Sequence, residues 1–294
     1  MSFTKGSNRF SLALWFLVLF LLVLLFINDP GKAVPKTPIF TAFPDQKSYF
    51  YVFLKTFLER ASFRIDELSL PLHPPPEEQY FLLIGEFPEE EVENLLTKLN
   101  SPPALTFYLN CKPPDFPHRR VILKTDWSKA SQEIGNFFKK YNVERIFLIG
   151  KETSSHYNLH ANIQKELKKP IIFMESSVKR SSQYAYFKKR SAFVFTSLLA
   201  FKDFSALSNF SPELVVLLES PPEALYLLWE GKVQAALELS PSLFAQKIQE
   251  IIRSFESNGY LPKEPILIPP LLITRSNLKE ADAKEVFYRC PLCH

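Results

Sequence analysis

Short apolar runs alternate with longer amphipathic stretches along most of this chain, and that alternation restricts its fold more than any other feature. Most of the runs are apolar throughout, which is typical of strands buried on both faces of a parallel sheet. Repeated β–α units of this kind predict an open α/β sheet with right-handed crossovers. The predicted strands are Pro38–Phe43, Phe63–Leu70, Tyr80–Gly85, Ala104–Asn110, Arg120–Thr125, Arg145–Gly150, Ile171–Glu175, Ala192–Thr196, Leu214–Glu219, Ala235–Leu239 and Ile266–Thr274. The predicted helices are Gln46–Arg60, Pro88–Leu99, Trp127–Tyr141, Ser155–Leu167 and Pro241–Phe255.

The N-terminal region contains an uncharged run from Phe10 to Ile27, in which Ser11 is the only polar residue. As a helix it would be about 27 Å long, which is close to the ~30 Å of a bilayer core. Lys5 and Arg9 precede the run, so the positive-inside rule places the N-terminus in the cytoplasm and the rest of the chain outside. No small-x-small cleavage site follows the run, and this favours an uncleaved transmembrane anchor over a signal peptide.

Composition excludes several classes of protein. The net charge of +4 arises from 35 basic and 31 acidic residues spread along the chain, without the basic stripe that nucleic-acid binding needs. Three cysteines are too few for a disulfide framework. With 7 glycines, the chain has neither a P-loop nor a G-x-G-x-x-G motif, and it lacks G-x-S-x-G and H-E-x-x-H as well. The sequence therefore predicts no enzyme.

The last five residues have the spacing C-x-x-C-H, with Cys290, Cys293 and His294 at the fixed positions. This is the spacing at which haem c is attached covalently, through two thioethers and one axial histidine. The run Val286–Arg289 before it resembles the lead-in to a class I cytochrome haem site. The motif predicts one covalent haem c per chain, and export agrees with the compartment in which such haem is attached.

Three other interpretations of the motif stay open. A zinc site needs four ligands, which Cys111 or a partner chain could complete. A thiol or disulfide pair normally lies at a helix start inside a βαβ unit. The third interpretation is coincidence.

The sixth iron ligand is not identified by the sequence. The candidates are Met174, His73, His118, His156 and His160. A further expectation is that the chain is truncated, so that a complete cytochrome domain once followed.

The C-terminal half of the chain resembles the type I periplasmic-binding-protein family, which includes ribose-binding proteins and the effector domains of lac-repressor-type regulators. Residues 220–236, S-P-P-E-A-L-Y-L-L-W-E-G-K-V-Q-A-A, are similar to the family's helix, turn and strand. Residues 268–277, I-P-P-L-L-I-T-R-S-N, resemble its closing strand. The resemblance covers about residues 38–277. It implies a two-lobed α/β fold of parallel sheets flanked by helices, with three hinge strands and a ligand cleft between the lobes.

The resemblance also divides the chain. Residues 1–9 are expected to form a cytoplasmic tail, 10–28 the anchor and 29–37 a linker. Residues 38–277 form the two-lobed domain, and 278–294 form the tail with the haem motif.

The family's ligand residues carry over incompletely. Tyr49 and Phe50 fall where the family places aromatic residues that stack on a sugar, and Glu219 falls where it has a cleft aspartate. Its arginine, second aspartate and glutamine align with Leu159, Ser197 and Leu239. Because unsatisfied buried hydroxyls cost about 1–3 kcal/mol each, the resemblance predicts no conventional pyranose site.

Two functions follow from these observations. The first is electron transfer by a membrane-anchored, extracytoplasmic, cytochrome-like protein that docks a redox partner. The second is a tethered solute-binding or sensing protein that holds a small, sugar-like molecule in its cleft, with the C-x-x-C-H motif incidental. Both place the main domain in the periplasm or extracytoplasmic space, beside the cell membrane.

Overall fold

A computed structural model describes residues 38–68, 79–99, 101–115, 118–150, 163–164, 169, 171–174, 190–206, 214–282 and 284. Within them, twelve strands and six main helices follow one another along the chain. The strands are β1 (Ile39–Ala42), β2 (Ile65–Glu67), β3 (Phe81–Gly85), β4 (Leu105–Leu109), β5 (Arg120–Thr125), β6 (Arg145–Ile149), β7 (Ile171–Met174), β8 (Ser191–Phe195), β9 (Leu214–Leu217), β10 (Ala235–Glu238), β11 (Ile266–Ile268) and β12 (Leu271–Thr274). The helices are α1 (Tyr49–Arg60), α2 (Glu89–Thr97), α3 (Trp127–Lys139), α4 (Leu198–Ala206), α5 (Pro222–Trp229) and α6 (Pro241–Asn258), and a 3₁₀ turn covers Leu278–Glu280.

The strands form two six-stranded sheets, and each sheet is the centre of one lobe. The order is β2-β1-β3-β4-β5-β11 in lobe 1 and β7-β6-β8-β9-β10-β12 in lobe 2. All pairs in lobe 1 are parallel. In lobe 2 the pairs are parallel except at the edge, where β12 runs antiparallel to β10. The sheets therefore have matching strand orders and differ in the direction of their last strand.

The chain passes between the lobes three times. It leaves lobe 1 after β5, where the carboxylate of Asp126 accepts a hydrogen bond from the backbone N–H of Lys129 and caps α3. It returns through Leu239 and Ser240 into α6, whose buried side chains belong to the lobe 1 core. The third passage is Pro269-Pro270, between β11 of lobe 1 and β12 of lobe 2.

Both faces of each sheet are covered, which explains why the strands read as continuous apolar runs. In β3, Phe81 and Leu83 face α1 and α6, whereas Leu82 and Ile84 face α2. In lobe 2, α4 and α5 cover one face and α3 covers the other. Burying a Leu or Phe side chain contributes about 1.5–3 kcal/mol, so these layers supply most of the stabilisation of each lobe.

The predicted two-lobed α/β architecture is confirmed. The predicted run Ile266–Thr274 contains two strands, because Pro269 and Pro270 have no backbone N–H to donate and the chain changes sheet there. Among the described residues, none of which precedes Pro38, no helix is both long and apolar enough to cross a membrane. The predicted anchor, residues 10–28, lies outside them, as do the linker and most of the C-terminal tail.

Candidate functional site

The two lobes meet at the carboxyl ends of their sheets. Tyr49, at the start of α1 in lobe 1, places its hydroxyl 2.8 Å from both carboxylate oxygens of Glu238, the last residue of β10 in lobe 2. Ser48 positions the tyrosine, because its Oγ accepts the backbone N–H of Tyr51 and begins the helix. The contact joins residues 189 positions apart and directly bridges the lobes.

Glu238 is the centre of a buried polar cluster, with only 2% of its surface exposed. Besides Tyr49, its carboxylate accepts a hydrogen bond from the Ser220 hydroxyl at 2.7 Å. Two backbone N–H groups complete the set, that of Ser240 at 3.3 Å and that of Asp282 at 3.2 Å. Four segments of the chain therefore converge on one carboxyl group, and Ser240 belongs to the second passage between the lobes.

Burial raises the pKa of Glu238 to about 7, because a charged carboxylate is poorly solvated there. The nearby Asp282 raises that pKa further, whereas the hydrogen bonds from Ser220 and Tyr49 oppose the shift. Burial and the Glu238 charge also raise the pKa of Tyr49, so its hydroxyl stays protonated and donates. Glu238 is the residue of this site that titrates near neutral pH.

Asp282 links the same cluster to α6. Its carboxylate accepts the backbone N–H of Ser242 at 2.8 Å and the Ser242 hydroxyl at 2.7 Å. Ser240, the N-cap of α6, is left-handed with φ 55° and makes no side-chain capping bond. A carboxylate from a distant segment therefore caps this helix, where the macrodipole also favours a negative charge.

The three predicted cleft residues have different surroundings. Tyr49 reaches the opposite lobe, as described above. Glu219 follows β9, and its carboxylate accepts the backbone N–H of Leu198 at the start of α4. Phe50 is buried in the lobe 1 core, where its ring contacts that of Phe244 at a centroid distance of 5.1 Å.

Sequence reasoning missed Glu238. The family's glutamine was aligned with Leu239, which is partly buried and packs against the lobe 1 core. Ser197, aligned with the family's second aspartate, uses its hydroxyl to accept the backbone N–H of Ala200. Leu159 lies outside the described residues. The one available signal was an acidic residue ending an otherwise apolar strand three positions before Pro241.

A cavity of about 680 Å³ lies at the carboxyl edge of the lobe 1 sheet. The cavity is lined on one side by residues 42–47, the loop after β1. Glu67 at the end of β2 also lines it, as do Phe87 and Glu91 at the start of α2. Helices α1 and α2 cover opposite faces of the sheet, so the cavity lies where the winding reverses. In open α/β sheets this reversal is where ligands bind.

Comparison with solved structures identifies the architecture. The arabinose-transporter periplasmic binding protein of Shewanella sp. ANA-3 superposes with a TM-score of 0.63 at 13% identity, covering 86% of this chain and 99% of that one. A Caulobacter myo-inositol binding protein gives 0.61 at 13% identity, covering 83% and 95%. GanP, a glucose-galactose binding protein of Geobacillus stearothermophilus, gives 0.57 at 14% identity, covering 83% and 99%. This is the type I periplasmic-binding-protein fold.

The likeness is one of fold. No model of a known family matches the chain, and no curated protein is significantly similar to it in sequence. The three solved structures named above are described as binding proteins, in agreement with the prediction that this chain is not an enzyme.

The prediction of a cytochrome-like electron-transfer protein is wrong. Four solved structures that share this fold are described with a small-molecule ligand, namely myo-inositol in two of them, galactofuranose and arabinofuranose, and none of the four points to haem or electron transfer. In the part of the chain that the structure describes, no group of three or more His, Cys, Asp or Glu side chains could hold a metal ion. The predicted haem c cofactor is therefore wrong as well, and no observation supports the predicted redox partner. Cys290, Cys293 and His294 themselves lie outside the described residues.

Two side chains considered as metal ligands have other contacts. His118 Nε2 is 2.6 Å from the Tyr108 hydroxyl. The Cys111 thiol is buried and free, contacts the carbonyl of Ile84, and has its pKa raised to about 12 by burial. His73, His156 and His160 lie outside the described residues.

Proposed function

We propose that this protein binds a small polyhydroxylated molecule, a sugar or polyol, between its two lobes and catalyses no reaction. The observation that carries the proposal is the buried Glu238 carboxylate. It lies at the end of β10, the second strand from the edge of the lobe 2 sheet, and accepts a hydrogen bond from a hydroxyl of the opposite lobe. A hydroxyl group of a ligand is chemically equivalent to that donor.

The surrounding groups support the same class of ligand. Ser220, Glu219 and Glu238 line the carboxyl edge of the lobe 2 sheet, and Asp45 and Lys47 lie at the corresponding edge of lobe 1. Sugar hydroxyls need such donors and acceptors, because a buried hydroxyl without a partner costs about 1–3 kcal/mol. Tyr49 and Glu219 stay candidates for ligand contact, whereas the enclosed position of Phe50 removes it from the proposal.

Solved structures with this fold are consistent with that class. They include proteins bound to myo-inositol and to arabinofuranose. The side chains here are not the conventional pyranose set, since Ser197 and Leu239 replace the family's charged and amide groups. Glu238 supplies an acceptor in their place, and the proposed ligand is therefore a polyol whose hydroxyls differ in position from those of a pyranose.

The proposed location is extracytoplasmic, with residues 10–28 as a membrane anchor and 29–37 as a linker. The anchor rests on the uncharged run Phe10–Ile27, and the orientation rests on Lys5 and Arg9. Protease accessibility of the main domain in intact cells and in spheroplasts tests this arrangement.

Ligand binding is tested with the full-length protein and a panel of pentoses, hexoses, inositols and acyclic polyols. A ligand at 100 times its Kd adds about 2.7 kcal/mol of stability, which a thermal shift detects. We expect at least one polyol to bind, and Glu238→Gln to weaken it about tenfold in titration calorimetry. Glu256→Gln, an exposed position on α6, is the control and leaves the affinity unchanged. No shift with any compound of the panel would end the proposal.

A further inference from the structure

Helix α1 of lobe 1 inserts two aromatic side chains against lobe 2. Tyr49 and Phe53 lie one turn apart with their rings 4.7 Å from each other, and both pack against the lobe 2 core. Leu271, the first residue of β12, belongs to the same cluster. Lobe 1 therefore contacts lobe 2 through an aromatic pair as well as through the Tyr49 hydroxyl.

The position of this pair is fixed by the remainder of α1. Phe50 and Leu54 anchor the helix in the lobe 1 core, where α1 packs along α6. Residues 49 and 53 occupy the adjacent stripe of the helix, since positions four apart lie on one face. As long as lobe 1 is folded, α1 therefore holds the Tyr49 hydroxyl against Glu238 of lobe 2.

The donors to Glu238 differ in where they belong. Ser220 and Asp282 lie on segments that follow lobe 2 strands, and Ser240 lies on the passage next to Glu238 itself. Tyr49 alone among these four comes from lobe 1. When the lobes separate, Tyr49 is the donor that Glu238 loses, and the position of its hydroxyl becomes free for another donor.

We infer that the Tyr49 hydroxyl occupies the ligand-hydroxyl subsite of Glu238 and latches the lobes together when the cleft is empty. A polyol that enters the cleft donates one hydroxyl to Glu238 and displaces that of Tyr49. This rests on the proposed function for the identity of the ligand, but the latch itself is a property of the ligand-free protein. Glu238 is then the residue that selects for a hydroxyl donor.

The latch predicts opposite effects for its two partners. Tyr49→Phe keeps the ring and removes the competing hydroxyl, so the ligand-competent state becomes more populated and the apparent Kd falls about tenfold. Glu238→Gln removes the negative charge and one of the two acceptor oxygens, and therefore weakens binding. Tyr226→Phe is the matched control, because its hydroxyl also bonds a glutamate, Glu230 at 2.6 Å, but on the surface of lobe 2 alone.

The test that needs no ligand is the distance between the lobes. In the full-length protein with Cys290→Ser and Cys293→Ser, spin labels are placed at Glu90→Cys on α2 and Asp203→Cys on α4, both exposed. Pulsed electron–electron resonance should show a longer, broader distance distribution in Tyr49→Phe than in the unsubstituted protein. Tyr226→Phe should leave the distribution unchanged, and thermal unfolding confirms that each variant is folded.

Titration with myo-inositol and L-arabinose completes the experiment and separates the two proposals. A distance change in Tyr49→Phe with no binding of any polyol keeps the latch and removes the proposed function. Binding with equal affinity and an unchanged distance in Tyr49→Phe overturns the latch and keeps the function. If Tyr49→Phe does not fold, the distance is measured in Glu238→Ala, which removes the acceptor of the Tyr49 hydroxyl: a longer distance supports the latch, and an unchanged distance overturns it.

Discussion

At the scale of single residues, Glu238 is unusual because its nearly inaccessible carboxyl group has no cationic partner among the residues that the structure describes. Its partners are two hydroxyls and two backbone N–H groups. The hydrogen bonds from Ser220, Tyr49 and the Asp282 N–H favour the charged carboxylate, whereas burial favours the protonated form. Uncharged donors therefore stabilise the buried carboxyl group of Glu238 without a salt bridge.

This environment predicts a dependence of stability on pH. The pKa of Glu238 is about 7 in the folded protein and ordinarily 4.5, so the folded state binds more protons than the unfolded state between those values. The free energy of unfolding therefore falls as pH rises through that window, by roughly 3 kcal/mol in all, and the loss is complete above pH 7. Tyr49 and Asp282 are the other titratable groups that face this carboxyl.

Urea unfolding at pH 5 and pH 8 measures the effect. The decline between the two values should be smaller in Glu238→Gln, whose side chain does not ionise. An equal decline in both proteins would show that Glu238 does not cause it.

At the scale of elements, helix α6 depends on a residue outside itself. Asp282 supplies the cap that Ser240 does not, and the 3₁₀ turn Leu278–Glu280 carries the chain towards it. Leu278 and Ala281 are buried in the lobe 2 core and hold that segment in place. The start of a lobe 1 helix is thus stabilised by a segment anchored in lobe 2.

Asp282→Ala should therefore destabilise the protein by about 1 kcal/mol, within the 0.5–2 kcal/mol typical of a lost N-cap. Two effects lower the stability: the backbone N–H of Ser242 loses its acceptor, and the negative charge at the start of the helix is removed. Denaturant titration measures it, with Glu256→Ala on the exposed face of α6 as the control. A change no larger than that of the control would show that the cap contributes nothing.

The strands were the most predictable elements, for a physical reason. Parallel strands buried on both faces give uninterrupted apolar runs, and β1, β3 and β4 each lie inside a predicted run. Helix α4 was not predicted, because Leu198–Ala206 is apolar on most sides and shows no clear polar face. Local patterns identify a helix well only when one of its faces meets water.

The site was less predictable than the fold. Tyr49 was placed at the cleft by resemblance, but its partner lies 189 residues away, and no local pattern indicates such a contact. Glu238 follows three buried residues of β10, so the sequence around it reads only as a buried strand. Tyr49 and Glu238 meet because they belong to different lobes. The lobe of each residue depends on where the chain passes between the lobes, which the pattern of a single strand does not reveal.

At the scale of the whole molecule, neither lobe is a continuous piece of chain. Lobe 1 contains β1–β5 from the first half of the chain, together with α6 and β11, which come after β10 of lobe 2. Lobe 2 in turn contains β12, which follows β11. The passages also bond to one another, since the backbone N–H of Asp126 donates to the carbonyl of Ile268 at 2.8 Å. Unfolding lobe 2 removes the Asp282 cap from α6 of lobe 1, and unfolding lobe 1 removes the Tyr49 hydrogen bond from Glu238 of lobe 2.

We therefore expect the two lobes to unfold in one cooperative transition. Scanning calorimetry of the full-length protein should give a calorimetric enthalpy equal to the van't Hoff enthalpy. Two resolved transitions, or an enthalpy ratio well above one, would mean that the lobes are independent despite their shared segments.

The interleaving also has a consequence during synthesis on the ribosome. The first five strands of lobe 1 are complete at Thr125, but α6, which covers Phe81 and Phe107, ends only at Asn258. At about 5–20 residues per second, that helix follows on the order of ten seconds later. For that interval only α1 covers this face of the nascent sheet, and the part of the aromatic surface that α6 will bury stays open to water and to other chains.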